Sequence, residues 1–183
     1  MLWARSDLAT LRSFATKYTP LDSCDGPPTR PERWALRFPS AEPPRLMDRT
    51  LKRTYTVKPL VAPFGKPVFG ELAVLKCLQR DGWAGVWVDT YYGAELFWRD
   101  MPQLSSKVDL LREPAALNVY RAIVAEHGRR GGFFDVFAWR QTHFLFVEYK
   151  GKGDRSNANE RSWIEAAIRC GIDPAQLLIV EYS

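Results

Sequence analysis

Charged residues punctuate the apolar runs between Gly131 and Asp154, GGFFDVFAWRQTHFLFVEYKGKGD, and three of them, Asp135, Glu148 and Lys150, could do chemistry together. Asp135 opens the first run of Phe, Val and Trp, and Glu148 and Lys150 sit near the end of the second. A buried charge is costly unless it is paired or holds a cation. Side chains alternate faces along a strand, so Glu148 and Lys150, two residues apart, share one face. A turn centred on Gln141–Thr142 pairs Arg140 with His143 and, counting back, sets Asp135 opposite Glu148. Cross-strand partners have Cβ atoms ~5 Å apart, and like charges there repel. A divalent cation between the two carboxylates removes the conflict. Mg²⁺ takes carboxylate oxygens and keeps water and substrate phosphate as its other ligands. Lys150, on the same side, is then placed to hold an attacking water or offset phosphate charge.

Two alternatives stay open at this level. Gln-Thr is a poor two-residue turn, and a loop with an odd residue count puts the carboxylates on opposite faces. An Asp at a strand start is also an ordinary turn residue, and Glu-x-Lys at a strand end an ordinary solvated pair.

Two further glutamates join the candidates. Glu71 lies on the apolar stripe made by Val74, Leu75 and Leu78, so it faces the core or a cleft. Its first-turn position beside the helix dipole is an equally good account. Glu160 completes a capping-box-like NANE from Asn157, and its place after the Glu148–Lys150 strand also lets it face the same site. Asp154 is expected to fix the loop before that helix. Arg129, Arg130, Lys152, Arg155 and Arg161 surround the motif and suit phosphate binding, or simply solubility. His127 and His143 have little claim to a direct role.

The elements that must position these residues follow from periodicity. VFGELAVLKCLQRDG predicts a helix from about Phe69 to Arg80, closed by Gly82. WAGVWVDTYY predicts a strand. Residues near 92–130 read as an insertion that contains the helix AALNVYRAIVAEH, ended by Gly128. The two hairpin strands come next. NANERSWIEAAIRCG then predicts a helix with Trp163, Ile164, Ala167 and Ile168 on one side, and QLLIVEYS a final strand. Helices interspersed with a mixed sheet give an α/β or α+β domain.

The first third differs in composition. Residues 1–18 predict a short amphipathic helix through Leu2, Leu8, Leu11, Phe14 and Ala15. Ten of the 13 prolines lie between Pro20 and Pro67, which argues against regular sheet there. Arg30 to Lys66 holds nine basic residues against three acidic, with Trp34, Phe38 and Tyr55 among them. That is an extended arm, packed on the main domain or touching nucleic acid. The expected division is residues 1–66 as helix and arm and residues 67–183 as the main domain.

The whole chain of 183 residues carries +5 at neutral pH, a balance that permits a nucleic-acid partner without requiring one. Cys24, Cys77 and Cys170 are odd in number and form no CxxC, against a disulfide framework or zinc site. No apolar run approaches a membrane span, and the first 18 residues lack a signal-peptide pattern. A cytoplasmic or nuclear protein, not secreted, is the expectation.

Taken together, the motifs resemble the VRR-NUC branch of the PD-(D/E)xK nuclease superfamily. That branch reads G-x-P-D, then an apolar strand with E-V-K-G, then a helix start D-x-L-S-x-x-Q-x-x-W. Here GGFFD, FVEYKGKGD and DRSNANERSW stand in that order, and Asp154 to Trp163 keeps the spacing. Phe134 replaces the proline and Glu160 the glutamine. The resemblance spans about Phe69 to Ser183. It implies a restriction-endonuclease-like mixed sheet flanked by helices, preceded here by the proline-rich basic arm. It implies hydrolysis of phosphodiester bonds in DNA, on branched or flap structures. Asp135, Glu148 and Glu71 would ligate Mg²⁺ or Mn²⁺, and Lys150 would be the catalytic lysine beside Glu160. Related compact nucleases dimerise on branched DNA, so a homodimer is allowed. The rival readings are a non-catalytic nucleic-acid-binding module on the same fold and a partner-binding protein whose basic arm docks an acidic surface.

Overall fold

The structure is a computed structural model that describes residues 8–19, 31–41, 58–90, 96–101, 112–129, 131–151, 154 and 158–182. Its centre is the hairpin of β8 (Val136–Arg140) and β9 (His143–Lys150). Arg140 pairs with His143 and Val136 with Val147, so the turn is the two-residue Gln141–Thr142. Gln141 accepts a left-handed φ of 55° to make it.

Five more strands extend the sheet. β6 (Ala84–Asp89) pairs antiparallel with β8, and β7 (Leu96–Trp98) pairs antiparallel with β6. On the other side β10 (Leu177–Tyr182) runs parallel to β9, β2 (Glu32–Leu36) parallel to β10, and β1 (Ala15–Thr19) antiparallel to β2. The order is β1-β2-β10-β9-β8-β6-β7. A small second sheet joins β3 (Ser40–Ala41), β4 (Leu60–Val61) and β5 (Val68–Phe69), which leads directly into a helix.

Two cores form because the strands alternate. Val136, Ala138, Leu145, Val147, Leu178 and Val180 point to one face, under helix α2 (Gly70–Arg80). Phe137, Trp139, Phe146 and Leu177 point to the other, under α3 (Pro114–His127) and α4 (Ala158–Arg169). Phe137 and Phe146 face each other across the hairpin and stack at 4.7 Å. Such a pair adds roughly 0.5–1.5 kcal/mol beyond the area it buries. A mixed sheet with helices on both faces is the restriction-endonuclease-like arrangement expected from the sequence.

The first third departs from expectation. The helix predicted over residues 1–18 is a single turn among the described residues, α1 (Ala9–Arg12). Its Thr10 bonds the Asp81 carboxylate through both backbone N–H, at 2.9 Å, and hydroxyl, at 2.5 Å. After it the chain turns into β1. The proline-rich stretch does contribute regular sheet. Prolines 31 and 39 leave a proline-free window in which Glu32–Leu36 can pair on both sides. Trp34 and Leu36 are buried there. Likewise the segment read as an insertion is built into the body: β7 lengthens the sheet, and Ala116, Tyr120 and Ile123 of α3 are buried in the second core.

In α4 the buried side is Trp163, Ala166 and Ala167; Ile164 is only half-buried and Ile168 is exposed. Asn157, the expected cap, lies outside the described residues. Among the described residues no helix is long and apolar enough to cross a membrane.

Candidate active site

The hairpin register brings Asp135 next to Glu148, one step beyond the Val136–Val147 pair. Their backbones hold them reciprocally. The N–H of Tyr149 donates to Asp135 Oδ2 at 2.9 Å, and the N–H of Asp135 is directed at the Glu148 carboxylate. Asp135 also locks into β6, its carbonyl accepting from the Val88 N–H at 2.8 Å.

Alternation sends Glu148 and Lys150 to the α4 face with Phe146, and there Glu160 meets them. Lys150 Nζ donates to Glu148 Oε1 at 2.8 Å and also to Glu160 Oε1. These side chains are 14%, 10% and 11% exposed for Glu148, Lys150 and Glu160, so the triad is screened only weakly. The next residue, Tyr149, points to the opposite face and lies against Gly70. A Cβ at Gly70 would come within 2.1 Å of the Tyr149 ring. That close approach seats Glu71, the following residue, at the end of the sheet where Asp135 lies.

Electrostatics record the crowding. Burial, then the Glu148 and Glu71 charges, hold Asp135 well above the ordinary carboxylate range, against the Tyr149 N–H and Lys58. Burial pushes Glu148 up to about 7, with Glu160 adding to it, although Lys150 and the Asp135 N–H pull the other way. Burial works against charge on Lys150, but Glu148 and Glu160 outweigh it and leave its pKa raised.

The carboxylate oxygens are hard donors of the type a Mg²⁺- or Mn²⁺-sized ion takes. Charge points the same way, since Glu71, Asp135, Glu148 and Glu160 face two ammonium groups, Lys58 and Lys150. Among the described residues no three His, Cys, Asp or Glu side chains form a ready-made metal cage. An ion here would depend on water and phosphate oxygens for its remaining ligands, the habit of Mg²⁺. On donor chemistry and charge the residues fit such an ion.

The other sequence candidates fall in different places. Arg129 and Arg161 are exposed, and Arg130, Lys152 and Arg155 lie outside the described residues. Asp154 does shape the loop after β9, accepting from the Gly151 N–H at 2.9 Å. His127 stacks on Trp163 at 3.8 Å and bonds Ser162, while Trp163 donates to the Gly131 carbonyl at 3.1 Å. These contacts tie α3, α4 and the loop before β8 together. His143 is a turn residue, paired with Arg140.

Two residues escaped the sequence reading. Lys58 reaches Glu71 Oε1 at 2.5 Å from the proline-rich stretch; nothing local in KPLVAP announces it. Asp89 is buried at the end of β6 and is an electrostatic neighbour of Lys58. A carboxylate ending the apolar run WAGVWVD is the same signal that singled out Asp135.

No curated protein and no solved structure matches the chain. Residues 90–178 match the family model of the VRR-NUC domain, a nuclease domain family. Asp135, Glu148, Lys150 and Glu160 lie inside the match, and Glu71, α2 and all of β6 precede it. Over residues 90–178, just under half of its length, the chain is therefore similar to the VRR-NUC nuclease domain.

Proposed function

We propose that the chain is a divalent-metal-dependent deoxyribonuclease that hydrolyses phosphodiester bonds in branched or flap DNA during repair, recombination or phage replication. The observation that carries this reading is the juxtaposition of Asp135 and Glu148 at the head of one hairpin, with Lys150 bonded to Glu148 at 2.8 Å. Burying two like charges side by side is unfavourable in isolation and becomes favourable around a cation. Asp135, Glu148 and Glu71 would hold Mg²⁺ or Mn²⁺. When bound, the ion polarises the phosphate and lowers the pKa of a coordinated water.

The chain's own groups have separable tasks. Lys150 carries its proton and offers N–H donors to the attacking water or a phosphate oxygen. Glu160 shares that ammonium and keeps it aimed toward Glu148. The Tyr149 N–H fixes the Asp135 carboxylate. Arg129, Arg130, Lys152, Arg155 and Arg161 would bind the DNA backbone. Residues 67–183 would form the nuclease domain, with residues 1–66 adding edge strands and a basic flank.

The test is cleavage of labelled single-stranded, flap, duplex and four-way-junction DNA with Mg²⁺, with Mn²⁺ and with chelator. Metal-dependent cleavage of a branched or flap substrate is expected. Asp135→Ala and Lys150→Ala should each lower it by about 100-fold or more. Equal cleavage by wild type and Asp135→Ala would exclude this site.

A further inference from the structure

Glu71 already has a cation. Its side chain is 10% exposed, and Lys58 Nζ sits 2.5 Å from its Oε1. The same ammonium lies over the ring of Trp87 at 5.3 Å and of Phe69 at 5.7 Å, and it faces Asp135 and Asp89. Lys58 is therefore not a stray surface lysine. It approaches the carboxylate cluster from the α2 side, while Lys150 pairs with Glu148 and Glu160 on the α4 side.

We propose that Lys58 is a displaceable counter-ion of this centre: its ammonium holds Glu71 when no divalent ion is bound and must leave Glu71 when one is. The inference rests on the metal-dependent reading above. Lys58 pairs with Glu71 and interacts with Asp135, both of them proposed ligands, so an ion seated between those carboxylates would meet its ammonium at a few ångströms and repel it; Lys150, by contrast, is also held by Glu160. Lys58 is free to yield. Its side chain is 35% exposed, so the flexible stem can swing the ammonium into water. Glu71 is the more enclosed partner, its side chain 10% exposed. Lys58 also sits beside β4, whose Leu60 pairs with Phe69 immediately before α2.

The experiment is direct Mn²⁺ binding, by calorimetry and by the paramagnetic resonance of free Mn²⁺, without DNA. Lys58→Met keeps the stem against Phe69 and Trp87 and removes the charge; Lys58→Arg keeps the charge. Lys58→Met should bind Mn²⁺ on the order of tenfold more tightly than wild type, the size of a usual site-to-site coupling. Lys58→Arg should stay close to wild type. A second measurement needs no variant: low-dose amine labelling read by mass spectrometry should modify Lys58 faster when Mn²⁺ is present. Equal or weaker Mn²⁺ binding by Lys58→Met, or unchanged Lys58 labelling in wild type that does bind Mn²⁺, overturns the counter-ion role and leaves the nuclease reading intact. Absence of Mn²⁺ binding in both wild type and Lys58→Met overturns both.

Discussion

Two carboxylates with raised pKa values make the site a stability cost in the metal-free protein. The sign follows from the direction. A carboxyl group whose folded pKa exceeds its unfolded one contributes stability below the unfolded value, and loses it as pH rises through the folded value. For Glu148 the window runs from 4.5 to about 7. The metal-free protein should therefore lose on the order of 3 kcal/mol from this group between pH 4.5 and 8. Urea denaturation across that range measures it, and Glu148→Gln should flatten much of the slope. Asp135→Asn should be more stable than wild type at pH 8, by about 1–3 kcal/mol, because the amide oxygen still accepts from the Tyr149 N–H without the buried charge. A variant that stabilises the fold while abolishing cleavage is the signature of a residue kept for chemistry.

At the scale of elements, the hairpin and helix α2 each rest on one unusual residue. Gln141 holds φ at 55°, a region costing a non-glycine residue about 1–2 kcal/mol. Gln141→Gly should raise stability by up to about 1 kcal/mol after the entropy loss of glycine, read as a higher urea midpoint with unchanged slope. Gly70 does the opposite duty. Alanine is the better helix former, yet at this position its Cβ would overlap the Tyr149 ring. Gly70→Ala should cost about 1–3 kcal/mol and weaken Mn²⁺ binding through displaced Glu71, and Tyr149→Leu should restore part of the stability. The periodic helices and the hairpin were legible in sequence because their patterns are local. The register was legible too, once the turn was assumed, since a two-residue loop fixes every pair behind it. The conformation of Gln141 was not, because the sheet imposes it on a residue that does not favour it.

At the scale of the whole molecule, one edge of the seven-stranded sheet comes from the N-terminal third. Trp34, 1% exposed on β2, packs in the same core as α2 and bonds Glu32 Oε2 at 3.1 Å. Trp34→Ala should destabilise the chain by about 3–5 kcal/mol and shift a single cooperative transition. A separate early transition, with the remainder unmoved, would mean that the first third folds by itself. Proline count misled here. Each proline removes one donor at its own position, and strand pairing needs only a proline-free window as short as Glu32–Leu36.

The sequence by itself determined the two hairpin strands, the three flanking helices and the shared face of Glu148 and Lys150, because these follow from alternation and short-range spacing; the register that sets Asp135 beside Glu148 waited on the turn, which the structure fixes at Gln141–Thr142. Only the tertiary structure decided that Glu160 shares Lys150, that Lys58 reaches Glu71, and that Asp89 lies close by. Those contacts join residues across the sheet or from separate elements. Their existence depends on how faces are stacked, which no local pattern encodes.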